Sequence, residues 1–139
     1  MRDARLIVLS LALLAALSGR LVAQPLSCHG AQQPRQVAEL LFGRDIGRKL
    51  GVSETAWARF LAREITPRFP DGLTVADVIG QWRDRASGTI VRERSKQVEI
   101  VLPGARDDQR RLDAIVATYK REFCQQSVAT ILRQACVAF

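Results

Sequence analysis

Residues 73–83, LTVADVIGQWR, and residues 89–102, TIVRERSKQVEIVL, decide the fold of this chain. Both runs are rich in β-branched and apolar residues, which is typical of strands. The tripeptide ASG at 86–88 lies between them, and the dipeptide PG at 103–104 follows the second run. These turn residues bound the strands and predict a β-hairpin in the middle of the chain.

An amphipathic helix is predicted before the hairpin. The Ser53 hydroxyl can accept from free backbone N–H groups at a helix start, and Glu54 places a negative charge at the positive end of the helix dipole. Pro67 ends the helix, because the residue before a proline is pushed away from helical angles. The apolar face consists of Trp57, Phe60, Leu61 and Ile65.

A second helix is predicted after the hairpin. Asp107 and Asp108 begin it, and Lys120 and Arg121 end it, so that charge at both ends matches the helix dipole. Its apolar stripe consists of Leu112, Ile115, Val116, Tyr119 and Phe123.

Residues 36–46 and 127–139 are predicted as the first and the last strand, so the element order is β-α-β-β-α-β. This is the ferredoxin-like split βαβ arrangement of the α+β class. It predicts a four-stranded antiparallel sheet with two helices on one face. The other face is then wet, covered by a partner or used for binding.

The N-terminus has the pattern of an export signal. A short positive start precedes the apolar run 6–17, and small residues around Ala23 provide a cleavage site. We therefore expect residues 1–23 to be a signal peptide, 24–35 a flexible lead-in and 36–139 a single domain. The expected location is periplasmic or extracellular. A lipoprotein variant, anchored through Cys28, is the alternative.

The charge and motif content excludes several classes of function. Removing residues 1–23 takes away three arginines and one aspartate, so the formal charge of +7 becomes about +5, dispersed along the chain. Dispersed charge with few aromatic residues argues against nucleic-acid binding. The only histidine is His29, no paired metal-ligand spacing exists, and no cofactor-binding motif is present. We expect no metal and no cofactor, and contact with a membrane only if Cys28 is lipidated.

The three cysteines fit an oxidising destination, where at most one internal bridge can form from Cys28, Cys124 and Cys136. Cys28–Cys136 would tie the lead-in to the last strand, Cys124–Cys136 is the other candidate, and free thiols are the third reading.

A polar cluster on the hairpin is the candidate site. Alternation along a strand places Gln81 and Arg83 on one face, and Glu93 and Ser95 likewise share a face. We expect Arg83 and Glu93 to meet beside Trp82 on the face away from the helices. They would form either a ligand site or a structural cross-strand ion pair.

Four segments in this order resemble an uncharacterised bacterial family, the domain-of-unknown-function family 3574. They are ITPRFPDGLTV at 65–75, GQWR at 80–83, RERSK at 92–96 and FCQQSV at 123–128, and the resemblance covers roughly residues 37–139. The resemblance implies a small exported protein and adds no activity, substrate or cofactor.

We therefore expect a non-catalytic binding or interaction module of the bacterial cell envelope. Its partner would be a small molecule, an envelope protein or a second copy bound through the open sheet face. The alternative is a cofactor-independent enzyme that uses Gln81, Arg83, Glu93 and Ser95, with Glu93 as the acid/base.

Overall fold

The computed structural model describes residues 26–47 and 49–139. The predicted signal peptide lies outside the described residues. The strands are β1 (Gln33–Gly43), β2 (Asp45–Ile46), β3 (Lys49–Leu50), β4 (Thr74–Arg83), β5 (Ile90–Val101) and β6 (Ala129–Val137). The helices are α1 (Glu54–Phe60, continued by a π-helical turn over Leu61–Ile65) and α2 (Asp108–Glu122).

The four long strands form one antiparallel sheet in the order β4-β5-β1-β6, so the α+β prediction of a four-stranded antiparallel sheet with two helices is confirmed. Both helices pack on the sheet face that carries Ala38, Leu40 and Phe42 of β1 and Val98 and Ile100 of β5. Alternation sends Glu39, Glu99 and their neighbours to the opposite, open face. Among the described residues, no helix has the length and apolar content needed to cross a membrane.

Helix α1 begins as its sequence predicts. Ser53 Oγ accepts a hydrogen bond from the N–H of Ala56 over 3.1 Å, which satisfies a donor that has no partner within the helix. The N–H of Thr66 then reaches back five residues to the carbonyl of Leu61. This wider turn ends at Ile65, two residues before Pro67, whose nitrogen has no hydrogen to donate. Thr66 keeps helical angles (φ −53°, ψ −44°), so the expected shift of the residue before the proline is not seen.

The core between the helices and the sheet is aromatic. The Phe42 ring lies 4.8 Å from Tyr119, 5.2 Å from Trp57 and 6.1 Å from Phe60 between centroids. Edge-to-face and tilted geometries dominate, as the quadrupoles of aromatic rings prefer. The Tyr119 hydroxyl donates a hydrogen bond to the carbonyl of Gly43 over 2.8 Å, so this polar group has a partner inside the core.

The first strand differs from its prediction at both ends. It begins at Gln33, so three residues that were predicted as lead-in pair with β6 in the sheet. It ends at Gly43, and the chain then turns into a small hairpin of β2 and β3 that the sequence did not predict. The backbone N–H groups of Gly51 and Val52 both donate to the carbonyl of Arg44, which closes this hairpin just before α1.

Candidate functional site

The register of the β4–β5 hairpin separates the predicted cluster. Gln81 lies opposite Arg92 and Arg83 opposite Ile90, whereas Glu93 lies opposite Gly80. Directly opposed residues point to the same face, so Gln81 and Arg83 point away from the face that carries Glu93 and Ser95. The predicted meeting of Arg83 and Glu93 is therefore wrong, and only Trp82 shares a face with Glu93 and Ser95.

Glu93 has a structural partner on the open face. Its Oε1 atom accepts the backbone N–H of Asp45 over 2.8 Å, which holds the turn between β1 and β2. A Cβ atom at Gly43 would lie 2.5 Å from the same oxygen, so the glycine makes room for the carboxylate. Desolvation raises the pKa of Glu93 above its ordinary value.

We expect Glu93→Ala to lower the free energy of unfolding by about 1.5–3 kcal/mol, because the Asp45 N–H loses a charged acceptor. Glu93→Gln should stay within about 0.5 kcal/mol of the parent, since the amide oxygen still accepts that hydrogen bond. A raised carboxyl pKa means that the parent gains stability relative to the glutamine variant as the pH falls through that pKa. Urea melts across this pH range measure both effects, and equal losses in the two variants would contradict this role.

A cleft opens elsewhere, at the end of the open face where β4 begins and β5 ends. Its volume is about 620 Å³, and it does not include Glu93. Arg35, Asp71, Thr74 and Glu99 supply its polar groups, and Leu73, Val101, Leu102, Pro103 and Phe139 supply apolar surface.

Of the charged side chains at this cleft, Glu99 has an ion-pair partner among the described residues and Arg35 has none. Arg133 on β6 donates to the carboxylates of both Glu39 and Glu99, so Glu99 already has a cationic partner on the open face, which it shares with Glu39. The Arg35 side chain forms no hydrogen bond or ion pair with another residue in the described part of the chain. Its guanidinium is therefore the cleft's available cation.

Sequence reasoning missed a cluster of charges on the helix side of the sheet. The side chains of Arg44 and Lys96 are only 4% and 6% exposed. Lys96 Nζ lies 2.9 Å from Glu54 Oε2 and 2.5 Å from Asp77 Oδ1, while Arg44 pairs with Glu54 and donates twice to the carbonyl of Val52. Hydrogen bonds from Lys96 lower the pKa values of both carboxyls.

These four side chains come from separate parts of the chain, so no local sequence motif predicts that they form a cluster. The one available signal was Lys96 in the middle of a strand, where a charge is uncommon unless it is paired. Two buried cations covered by two carboxylates form a neutral cluster that fixes α1 against β4 and β5. We therefore interpret this cluster as one that stabilises the fold.

The cysteines form one bridge. Cys28 and Cys136 are joined by a disulfide that spans 108 residues of sequence, and Cys124 is free and exposed. A turn in which the Gln32 N–H donates to the carbonyl of His29 brings Cys28 back beside β6. The Sγ atom that forms the disulfide cannot also carry a lipid thioether, so the bridge and the lipoprotein alternative exclude each other.

Fold and site together define a small α+β domain with a cleft at one end of an open sheet face. Residues 37–139 match the family described as a protein of unknown function, DUF3574. The chain belongs to this family, and the resemblance stated above is confirmed. A search of the curated proteins found no match.

Solved structures with a similar fold include a phage SAM lyase in complex with S-methyl-5′-thioadenosine. It is 18% identical, with a TM-score of 0.58, over 84% of this chain and 97% of that chain. The apo state of a phage SAM lyase is 19% identical, with a TM-score of 0.56, over 80% and 87% of the two chains. CutA from Synechococcus elongatus is 10% identical, with a TM-score of 0.47, over 77% and 80%. At these identities the likeness shows the fold alone.

Proposed function

We propose that this chain is an exported, non-catalytic binding module of the ferredoxin-like type that takes a small organic acid in the cleft beside Arg35. One observation carries the proposal: the cleft, whose lining also includes the carboxylates of Asp71 and Glu99, combines the unpaired Arg35 guanidinium with a hydroxyl group and an apolar wall. Its volume of about 620 Å³ falls within the range of small-molecule sites.

The cleft residues indicate the chemistry of the ligand. A guanidinium presents planar, paired donors, which suit a carboxylate or phosphate group. Thr74 adds a hydroxyl, and Leu73, Val101 and Phe139 offer surface to an apolar part of the ligand. The fitting class is therefore an amphipathic organic anion.

The enzyme alternative lacks the arrangement of residues that it requires. It required Gln81, Arg83, Glu93 and Ser95 on one face, and the hairpin register divides them between two faces. Glu93 also accepts a hydrogen bond from the backbone N–H of Asp45, and it is not among the residues that line the cleft. A binding role does not need these residues together.

We expect benzoate, phenyl phosphate or octanoate to raise the melting temperature of the purified protein as its concentration rises, because a ligand that binds only the folded state stabilises it. Benzamide and octanol, which lack the acidic group, should give no shift. S-methyl-5′-thioadenosine, with which a phage SAM lyase is seen in complex, also lacks an acidic group and should likewise give no shift.

The Arg35→Gln variant should lose the shift, while Arg59→Gln, on the exposed surface of α1, should keep it. Shifts of equal size in both variants, or no shift with any acid, would reject the cleft as the site. The export part of the proposal rests on the leader at residues 1–23. It is checked by intact-mass measurement of protein from the envelope fraction, where a retained leader would contradict it.

A further inference from the structure

Strand β4 is a long edge strand with little protection. All ten of its residues, Thr74–Arg83, pair with β5 on one side, and no other described strand pairs with it on the other side. Ordinary strands have about five to six residues. Proteins usually protect such edges with proline, charged side chains (lysine above all) or a bulge. The β4 sequence has no proline or lysine, its charged residues are Asp77 and Arg83, and its pairing with β5 has no bulge.

Large apolar side chains are exposed along this edge and its hairpin. The exposed fraction is 74% for Ile79 and 46% for Trp82, and Ile90 on β5 is exposed as well. Ile79 and Trp82 alternate in direction along β4, so apolar surface is present on both sides of the sheet at this edge.

We propose that the β4 edge pairs antiparallel with β4 of a second copy of this chain, centred on Gly80, to form a two-fold symmetric dimer. In a two-fold symmetric antiparallel pair, the residue numbers of any two opposed residues add up to the same value. Opposed side chains lie on one face of the sheet, so this value must be even. A pair centred on Gly80 meets the requirement, because its opposed residue numbers add up to 160.

This register makes the edge complementary to itself. Asp77 lies opposite the second copy's Arg83, and Val78 lies opposite the second copy's Trp82, each contact occurring twice. Arg83 has no ion pair in the described part of its own chain, and the Asp77 side chain is 73% exposed despite its contact with Lys96. Centring on Ile79 instead would place Asp77 opposite Gln81 and Arg83 opposite Val75, which leaves both charges unmatched.

Gly80 provides an independent observation. A Cβ atom there would lie 3.5 Å from Ser95 Oγ, an ordinary contact, and the glycine has no positive φ angle. The fold of one chain therefore does not require a glycine. Glycine within a strand often marks a place where another backbone approaches closely. In the proposed dimer, the paired glycines leave room for the two Trp82 rings on the open face.

The other edge and the open face fit a second copy less well. Pairing of β6 about its middle residue, Arg133, would oppose two guanidinium groups. The open face carries the ion-paired Arg133, Glu39 and Glu99, whose burial in a homodimer would be costly. The dimer proposed for β4 does not depend on the proposed ligand cleft.

Sedimentation equilibrium over a range of protein concentrations tests the dimer. The parent should populate a dimer, and Arg83→Glu and Trp82→Ala should each weaken dimerisation about tenfold or more. Arg59→Glu, a matched charge reversal on α1, should leave it unchanged. A monomer at all concentrations, a trimer, or a dimer insensitive to both edge variants would overturn the proposal.

Cysteine cross-linking tests the register in a Cys124→Ser background. Gly80→Cys should form an intermolecular disulfide, because residues opposed across an antiparallel pair have Cα atoms about 4.5–5.5 Å apart, within reach of a disulfide. Ile79→Cys should not, since Ile79 lies opposite Gln81. A bridge with Ile79→Cys and none with Gly80→Cys would overturn the assigned centre.

Discussion

Cys28→Ala is expected to lower the free energy of unfolding by about 4–5 kcal/mol. The bridge from Cys28 to Cys136 closes 108 residues of chain, and in the chain-entropy account a loop of about this length restricts the unfolded state by that amount. The loss is large against the total stability of an ordinary domain, about 5–15 kcal/mol. We therefore expect the reduced protein to melt at a much lower temperature than the oxidised one.

Chemical denaturation with and without reductant measures this effect. Cys136→Ala should cost as much as Cys28→Ala, and the double variant no more than either, because one bond is lost in each case. Cys124→Ala is the matched control, since its thiol is free and exposed. Additive losses from Cys28→Ala and Cys136→Ala, or an acyl mass on Cys28, would contradict the bridge.

The helices could be predicted because their signals are local. Ser53 lies at the start of α1 and accepts the hydrogen bond that its residue type suggests. The charges at the ends of α2 and the apolar spacing of Leu112, Ile115 and Tyr119 likewise depend only on neighbouring positions, and all three side chains are buried. The two helices could therefore be predicted without knowledge of the tertiary packing.

The hairpin register could not be predicted in the same way. A turn fixes it: the Asp84 carboxylate accepts the N–H groups of Ala86 and Ser87, and the Asp84 N–H donates to the carbonyl of Thr89. One residue more or fewer in this loop would reverse which face each β5 side chain takes relative to β4. The predicted meeting of Arg83 and Glu93 failed for this reason. The Lys96–Asp77 pair was missed for the same reason, because they are opposed only in the observed register.

The cleft depends on packing over long distances. Arg35, Thr74 and Glu99 belong to three strands, and their approach follows from the strand order β4-β5-β1. This strand order cannot be predicted from the spacing of residues in the sequence. The sequence alone therefore showed a domain with an open face, and the location of the cleft on that face required the structure.

Trp57→Ala should cost about 3–5 kcal/mol of unfolding free energy, the range for large aromatic truncations in a core. Trp57 is buried, and its ring lies against Phe42, Phe60 and Tyr119 at centroid distances of 5.2, 6.0 and 6.1 Å. Truncation removes contacts with all three rings and leaves a cavity between α1, α2 and β1 that these rigid side chains cannot fill.

The chain has two tryptophans, so Trp82→Ala provides a control with the same change in volume. Because Trp82 is about half exposed, its truncation should cost less than about 1 kcal/mol in the monomer. Urea melts at low protein concentration compare the two variants without a contribution from the proposed dimer. Equal costs would mean that the α1 face does not pack as described, whereas a large difference places the aromatic core under α1 and leaves the β4 edge outside it.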